Sequence, residues 1–216
     1  MAAVLVIGAS QGIGLETVKL ALAQGHRVRA FARSAATMAA EGEGLERFAG
    51  DARDATAVAR ALEGMEVVIQ SLGAGEKGRP TVLLTGTDLF SAATRILIDA
   101  MKAGGVRRLL AVTGLGAGDS RGRGGLLYDA IAFPLFLKRI YDDKDVQEQM
   151  IRASGLDWTI VRPGLLTGGL ATGQVRALTD PKEWTMGPVR RADVADFLLR
   201  EAFERRFLQQ TPLLIR

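Results

Sequence analysis

The sequence predicts an α/β fold: a Rossmann-type, doubly wound parallel sheet in a single domain over residues 1–216. Three observations predict it. Short apolar runs alternate with helical patterns from end to end, which is the mark of βαβ units. Glycine is abundant (26 residues) while aromatics make up only 6%, which suits a buried parallel sheet of small and aliphatic side chains. The first apolar run ends in a glycine-rich turn directly before a helix.

Each element follows from its local pattern. Residues 4–7 are an apolar run ending at Gly8, read as a strand buried on both faces. Residues 12–24 carry Ile13, Val18, Ala21 and Leu22 at helical spacing, and Gly25 closes that helix. Strands are expected at 27–32, 45–49, 65–71, 108–113 and 158–162, the last stopped by Pro163. Helices are expected at 55–62, 87–103, 143–153 and 191–204. Residues 114–125 hold six glycines in twelve and read as a flexible loop after a strand, where ligands bind in such sheets. Residues 126–141 are dense in apolar and aromatic side chains and interrupted by Pro134. They would cover a flat ring system, or pack on the core or a partner subunit.

Composition excludes several chemistries. There is no Cys, so disulfides, thiolate catalysis and zinc–sulfur sites are out. One histidine, His26, precludes a multi-His metal site and is read as structural; no metal is expected. The net charge is +4, and the basic pairs Arg107-Arg108, Lys138-Arg139, Arg190-Arg191 and Arg205-Arg206 are scattered. Without a basic stripe interleaved with aromatics, no nucleic acid is expected. The most apolar stretch, 126–137, is short and contains Asp129 and Pro134, so no membrane span is expected. The N-terminus lacks a secretory pattern, and a cytoplasmic protein is expected.

The run Gly8-Ala9-Ser10-Gln11-Gly12-Ile13-Gly14 joins the first strand to the first helix. A pyrophosphate needs free backbone N–H groups at a helix N-terminus and no side chain in the way. Gly8 makes the tight turn, Gly12 admits the ligand, and Gly14 lets the helix lie close. The same run would also serve as a turn with no ligand. After the second strand an NAD enzyme places an acid; here stand Arg33 and Ser34. A planar cation suits a 2′-phosphate, so NADP(H) is the expected cofactor. Asp51 and Ala52, after the third strand, would meet the adenine, or Asp51 would cap the helix starting near Arg53. Ser71, Leu72 and Gly73 end the fourth strand and would pass beside the nicotinamide ribose, or form a plain turn.

These segments together (GASQGIG, FARS, FAGDARD, VTGLGAGDS, LDWTIVRPGLLT) resemble the short-chain dehydrogenase/reductase superfamily over nearly the whole chain. The resemblance is greater to its small atypical NAD(P)H-binding branch, which includes the biliverdin-IXβ reductase/flavin reductase type. It implies NADPH across the carboxyl ends of the strands, with Arg162 to Thr167, including Pro163, Gly164 and Leu165, against the nicotinamide. The better-known members use Tyr-x-x-x-Lys and a Ser. Lys144 matches the lysine, but Ile140 stands at the tyrosine position and Tyr141 is one place out, about 100° away from the lysine face. After the fifth strand, Thr113 offers the only hydroxyl, followed by Gly114. Thr113 and Lys144 are therefore the catalytic candidates; Lys144 would stabilise negative charge, or be a surface lysine paired with Glu148.

A ketone needs an acid to protonate its alkoxide, whereas a conjugated acceptor spreads the charge. The expected function is an NADPH-dependent reductase passing hydride to a small-molecule acceptor of flavin or quinone type, acting as a monomer or homodimer. The alternatives are a non-catalytic NADP(H)-binding redox sensor, or a carbonyl or sugar reductase or epimerase using Tyr128 or Tyr141 as the acid.

Overall fold

The computed structural model describes residues 1–73, 87–123, 125 and 137–216. Along the chain run β1 (Ala3–Ile7), α1 (Gly12–Ala23), β2 (Arg27–Ala32), β3 (Leu45–Ala49), α2 (Ala55–Leu62), β4 (Val67–Gln70), α3 (Leu89–Gly104), β5 (Arg108–Val112), α4 (Lys138–Arg152), β6 (Asp157–Pro163), β7 (Leu165–Thr167), β8 (Arg176–Leu178), β9 (Pro188–Arg190), α5 (Arg191–Glu204) and β10 (Leu213–Ile215).

The strands form an eight-stranded sheet in the order β3-β2-β1-β4-β5-β6-β10-β8; β7 and β9 pair separately. All neighbours in the large sheet are parallel except β10 with β8. This is a doubly wound Rossmann-type sheet. Its direction reverses between β1 and β4, which opens a crevice at their carboxyl ends.

Strict alternation in β1 divides the core. Val4 and Val6 face Ile13 and Val18 of α1 and Val194 and Leu198 of α5. Leu5 and Ile7 face the opposite layer, with Val58 and Leu62 of α2, Leu97 and Met101 of α3, and Ile151 of α4. Each fully buried aliphatic side chain contributes about 1.5–3 kcal/mol, so both faces must be covered for the sheet to stand.

The structure departs from the sequence reading in three ways. First, β7, β8, β9 and β10 were not expected; runs of three residues carry no periodicity, and β10 is a strand because β6 and β8 supply its partners. Second, α4 begins at Lys138, five residues before the expected start. Buried Ile140 and a Lys138–Asp142 ion pair one turn apart extend it. Third, the loop after β5 is not a flexible one over its described part. Leu115 to Ala117 are buried, Gly116 N–H donates to Ser120 Oγ, and a 3-10 turn spans Gly118–Ser120. Residues 74–86, 124 and 126–136 lie outside the described residues, among them Gly75, Tyr128 and Pro134, and with them most of the proposed ring cover. Among the described residues no helix is long and apolar enough to cross a membrane.

Candidate functional site

The glycine loop sits at the crevice between β1 and β4. Gly8 has φ +87°, a conformation that favours glycine. A Cβ there would overlap the Ser71 carbonyl, because Ser71 N–H pairs with Ile7 O and draws the end of β4 alongside. Gly12 has φ +59°, and a Cβ there would meet nothing within 4 Å. Gly14 is set against the Gly8 carbonyl, so no side chain fits between helix and loop. No side chain caps α1; its N-cap, Gln11, makes no capping bond. The N–H groups of the first turn therefore open onto space beside Gly12. Ala9 is buried beneath the loop, whereas Ser10 and Gln11 lie on its outer side, with Ile13 packed into the core.

Arg33 and Ser34 are exposed at the end of β2. Arg33 has no hydrogen-bond or ion-pair partner among the described residues. Beyond β3, Asp51 is exposed and its Oδ1 accepts from Arg53 N–H at 2.9 Å, with Ala52 buried beside it. Asp51 does not cap α2; Asp54 does, accepting from Thr56 and Ala57. Ser71 and Leu72 are half-buried and Gly73 is exposed.

The second half of the site lies at the carboxyl ends of β5 and β6. Thr113 is held at three points. Its N–H donates to Val161 O at 2.9 Å, its hydroxyl donates to Glu148 Oε1 at 2.7 Å, and its carbonyl accepts from Lys144 Nζ at 2.8 Å. Lys144 is not a surface lysine. It is 7% exposed, with Nζ 4.4 Å from the centre of the Phe90 ring and 6.0 Å from that of Tyr141. Burial pushes its pKa from 10.5 to about 8, against the opposing charges of Glu148 and Asp143. Glu148 is committed elsewhere, to the fully buried Arg162, by Nε–Oε1 at 3.0 Å and Nη2–Oε2 at 2.5 Å.

Tyr141 is a correction. Residues three apart on a helix differ by only about 60°, so they share a face as residues four apart do. The Tyr141 ring stands beside Lys144, and its hydroxyl presses on Gly114, where a Cβ would lie 2.6 Å away. Beyond β6, Pro163 is buried, Gly164 is wedged against the Gly187 carbonyl, and Leu165 is 62% exposed. Leu115 N–H donates to Pro163 O at 3.1 Å and joins the two loops. His26 is remote from this site: it stacks on Phe203 at 4.9 Å and accepts from Ala2 N–H.

A family model for NAD(P)H-binding proteins matches residues 8–205. The chain belongs to this NAD(P)H-binding family. Among solved structures it is similar to ChuY, an anaerobillin reductase from Escherichia coli O157:H7, with 31% identity, a TM-score of 0.80, and coverage of 99% of this chain and 96% of that one. Among curated proteins it is 30% identical over 206 residues to the uncharacterized sugar epimerase YhfK of Bacillus subtilis, spanning 94% of this chain and 88% of the relative. It is also 30% identical over 174 residues to sterol demethylase protein B of Methylococcus capsulatus, covering 76% of this chain. The match spans about half, 51%, of that relative's length.

The residues present fit an NAD(P)H cofactor. The open space at Gly12 leaves the helix terminus accessible, and the overlap at Gly8 and Gly14 compacts the turn around it. What sequence reasoning missed in this NAD(P)H-binding protein is the supporting set: Glu148, Asp119, Asp143 and the placement of Tyr141. Asp143 caps α3 from α4, accepting from Phe90 N–H at 2.8 Å and Ser91 N–H at 3.2 Å, which puts the Phe90 ring over Lys144. No local signal marks such a cap, since its partners lie over fifty residues away. Glu148 had a signal, its one-turn spacing from Lys144, but that spacing suggested the wrong partner.

Proposed function

We propose that this NAD(P)H-binding oxidoreductase is an NADPH-dependent reductase of a flavin, a quinone or a similar conjugated acceptor, with residues 1–216 acting as one nucleotide-binding domain. Bound NADPH supplies the hydride. In this reading Gly8 to Gly14 hold the pyrophosphate and Arg33 with Ser34 take the 2′-phosphate. Asp51 and Ala52 border the adenine. Ser71 to Gly73, Thr113 and Pro163 to Leu165 flank the nicotinamide end.

One observation supports the acceptor class. The Thr113 hydroxyl is tied to buried Glu148, and the Lys144 ammonium to the Thr113 carbonyl. Thr113 and Lys144 are both buried, at 6% and 7% exposure. An unactivated ketone needs an acid beside the nascent alkoxide, whereas a conjugated acceptor spreads the added charge and can take its proton from water. The likeness to an anaerobillin reductase supports a reductase. Lys144 then acts by holding the end of β5 and by its field.

The test is to mix the protein with NADPH and follow loss of the reduced cofactor's absorbance with FMN, a quinone or an aldehyde. Turnover with FMN or the quinone is expected. Turnover with the aldehyde alone would overturn the acceptor class, and NADPH binding without any turnover would leave a sensor of cofactor redox state.

A second reading rests on Tyr141. Its phenol stands against Gly114, beside Lys144. A phenol there can protonate a carbonyl oxygen, which favours a carbonyl or sugar substrate, in line with the sugar epimerase relative. Tyr141→Phe separates the readings, since only the second requires the hydroxyl.

A further inference from the structure

The ion pair of Arg162 and Glu148 is 0% and 2% exposed at its side chains. Such a pair is a weak source of stability, because desolvating two charges offsets most of their attraction, and apolar residues of similar volume often do as well. Its geometry shows another use. Glu148 Oε1 accepts from two strands at once: from Arg162 Nε on β6 at 3.0 Å and from the Thr113 hydroxyl at the end of β5 at 2.7 Å. Arg162 Nη2 reaches a second carboxylate, Asp119 Oδ1 at 2.6 Å, in the loop that follows β5. That loop rests on the pair. A Cβ at Gly118 would lie 2.6 Å from Arg162 Nη2 and 2.7 Å from Glu148 Oε2, and Gly118 N–H donates to Asp145 Oδ1 at 2.6 Å. The Arg162 guanidinium also lies over the Trp184 ring, 5.1 Å from its centre.

We propose that Glu148 is a positioning residue, whose carboxylate locks the loops after β5 and β6 at a fixed separation by tying the Thr113 hydroxyl to Arg162. This rests on the reading that those two loops border the nicotinamide. The lock acts through Thr113 and the Leu115–Pro163 hydrogen bond, which directly joins the loops. Hydride transfer demands ring-to-ring placement within a fraction of an ångström, and small misplacements lower the rate without lowering affinity.

Thr113→Val tests this, because it removes only the hydroxyl and leaves the Arg162–Glu148–Asp119 pairs and the Lys144 contact to the Thr113 carbonyl in place. The full chain is examined by hydrogen exchange and by NADPH oxidation with FMN or a quinone. The expected result is at least tenfold faster exchange at the Leu115 amide, with β2 amides unchanged. NADPH affinity stays within about twofold while kcat falls about tenfold, and Thr113→Ser recovers most of the loss. Unchanged exchange at Leu115 overturns the proposal whatever the activity does, as does an unchanged kcat in an active enzyme. Faster exchange in a protein that binds NADPH but oxidises it with none of the acceptors would support the lock while sinking the reductase reading.

Discussion

Replacing Lys144 by Met should leave this protein as stable or more stable at pH 7 and destabilise it at pH 10.5. The ammonium is buried, donates to the Thr113 carbonyl at 2.8 Å and lies over the Phe90 ring. Burial pushes its pKa from 10.5 to about 8, although Glu148 and Asp143 pull the other way. In the unfolded chain the lysine keeps its ordinary value. Between about pH 8 and 10.5 the unfolded state therefore binds more protons than the folded one, so this group's effect is that stability rises with pH across the window. Below the window the folded state carries a charge it would shed if it could. With each pKa unit equal to about 1.36 kcal/mol, that penalty is about 3 kcal/mol.

Methionine is similar in length and carries no charge, so it removes the penalty. It also leaves the Thr113 carbonyl without its donor, a loss of roughly 1–3 kcal/mol. At pH 7 the two effects nearly cancel or favour Met; at pH 10.5 only the loss remains. Packing changes contribute equally at both pH values, so the difference between the two is about 3 kcal/mol. For a chain of this size that corresponds to about 6–12 °C of relative Tm. Urea unfolding of both proteins at pH 7 and pH 10.5 measures it. If the stability difference between Lys144 and Met were the same at both pH values, the lysine would titrate alike in the folded and unfolded states, and the reasoning from burial would be wrong.

Other expectations follow from the same geometry. Arg33→Ala should weaken NADPH binding by about 1.5 kcal/mol, roughly tenfold, the low end for a charged hydrogen bond because Arg33 is exposed. NADH binding should hardly change, and equal losses in a titration of both would refute the 2′-phosphate role. Gly14→Ala would force a methyl into the Gly8 carbonyl; a loss of about 1–3 kcal/mol in unfolding free energy is expected, together with weaker NADPH binding, and a variant equal to the parent in both would contradict the tight packing of helix on loop. Tyr141→Phe should leave flavin or quinone turnover within about twofold but lower any aldehyde turnover by a hundredfold or more. A large loss with the quinone would transfer the proton-donor role to Tyr141 for every acceptor.

Local pattern decided much of this protein. Short apolar runs and helical stretches sufficed to locate β1 to β6 and, apart from the start of α4, the helices packed on them, because each buries apolar surface along its own length. The glycine run could be placed between strand and helix for the same reason. Arg33 could be located at the end of β2, since a strand boundary is a local event. Distance along the chain sets the limit. The three-residue strands β7 to β10 exist only through partners elsewhere. Asp143 caps a helix more than fifty residues away, and Arg162 closes on Glu148 only when α4 lies over the sheet. The glycine-rich loop reads as flexible in isolation because glycine lowers the barrier to many conformations. Tertiary structure reverses this: Ser120, Asp145 and the buried ion pair hold Gly116 and Gly118 in place. Lys144 shows the division most clearly. Its position on a helix was evident from the sequence, but its lowered pKa comes from the loss of water around it, against the pull of Glu148 and Asp143, and only packing buries it.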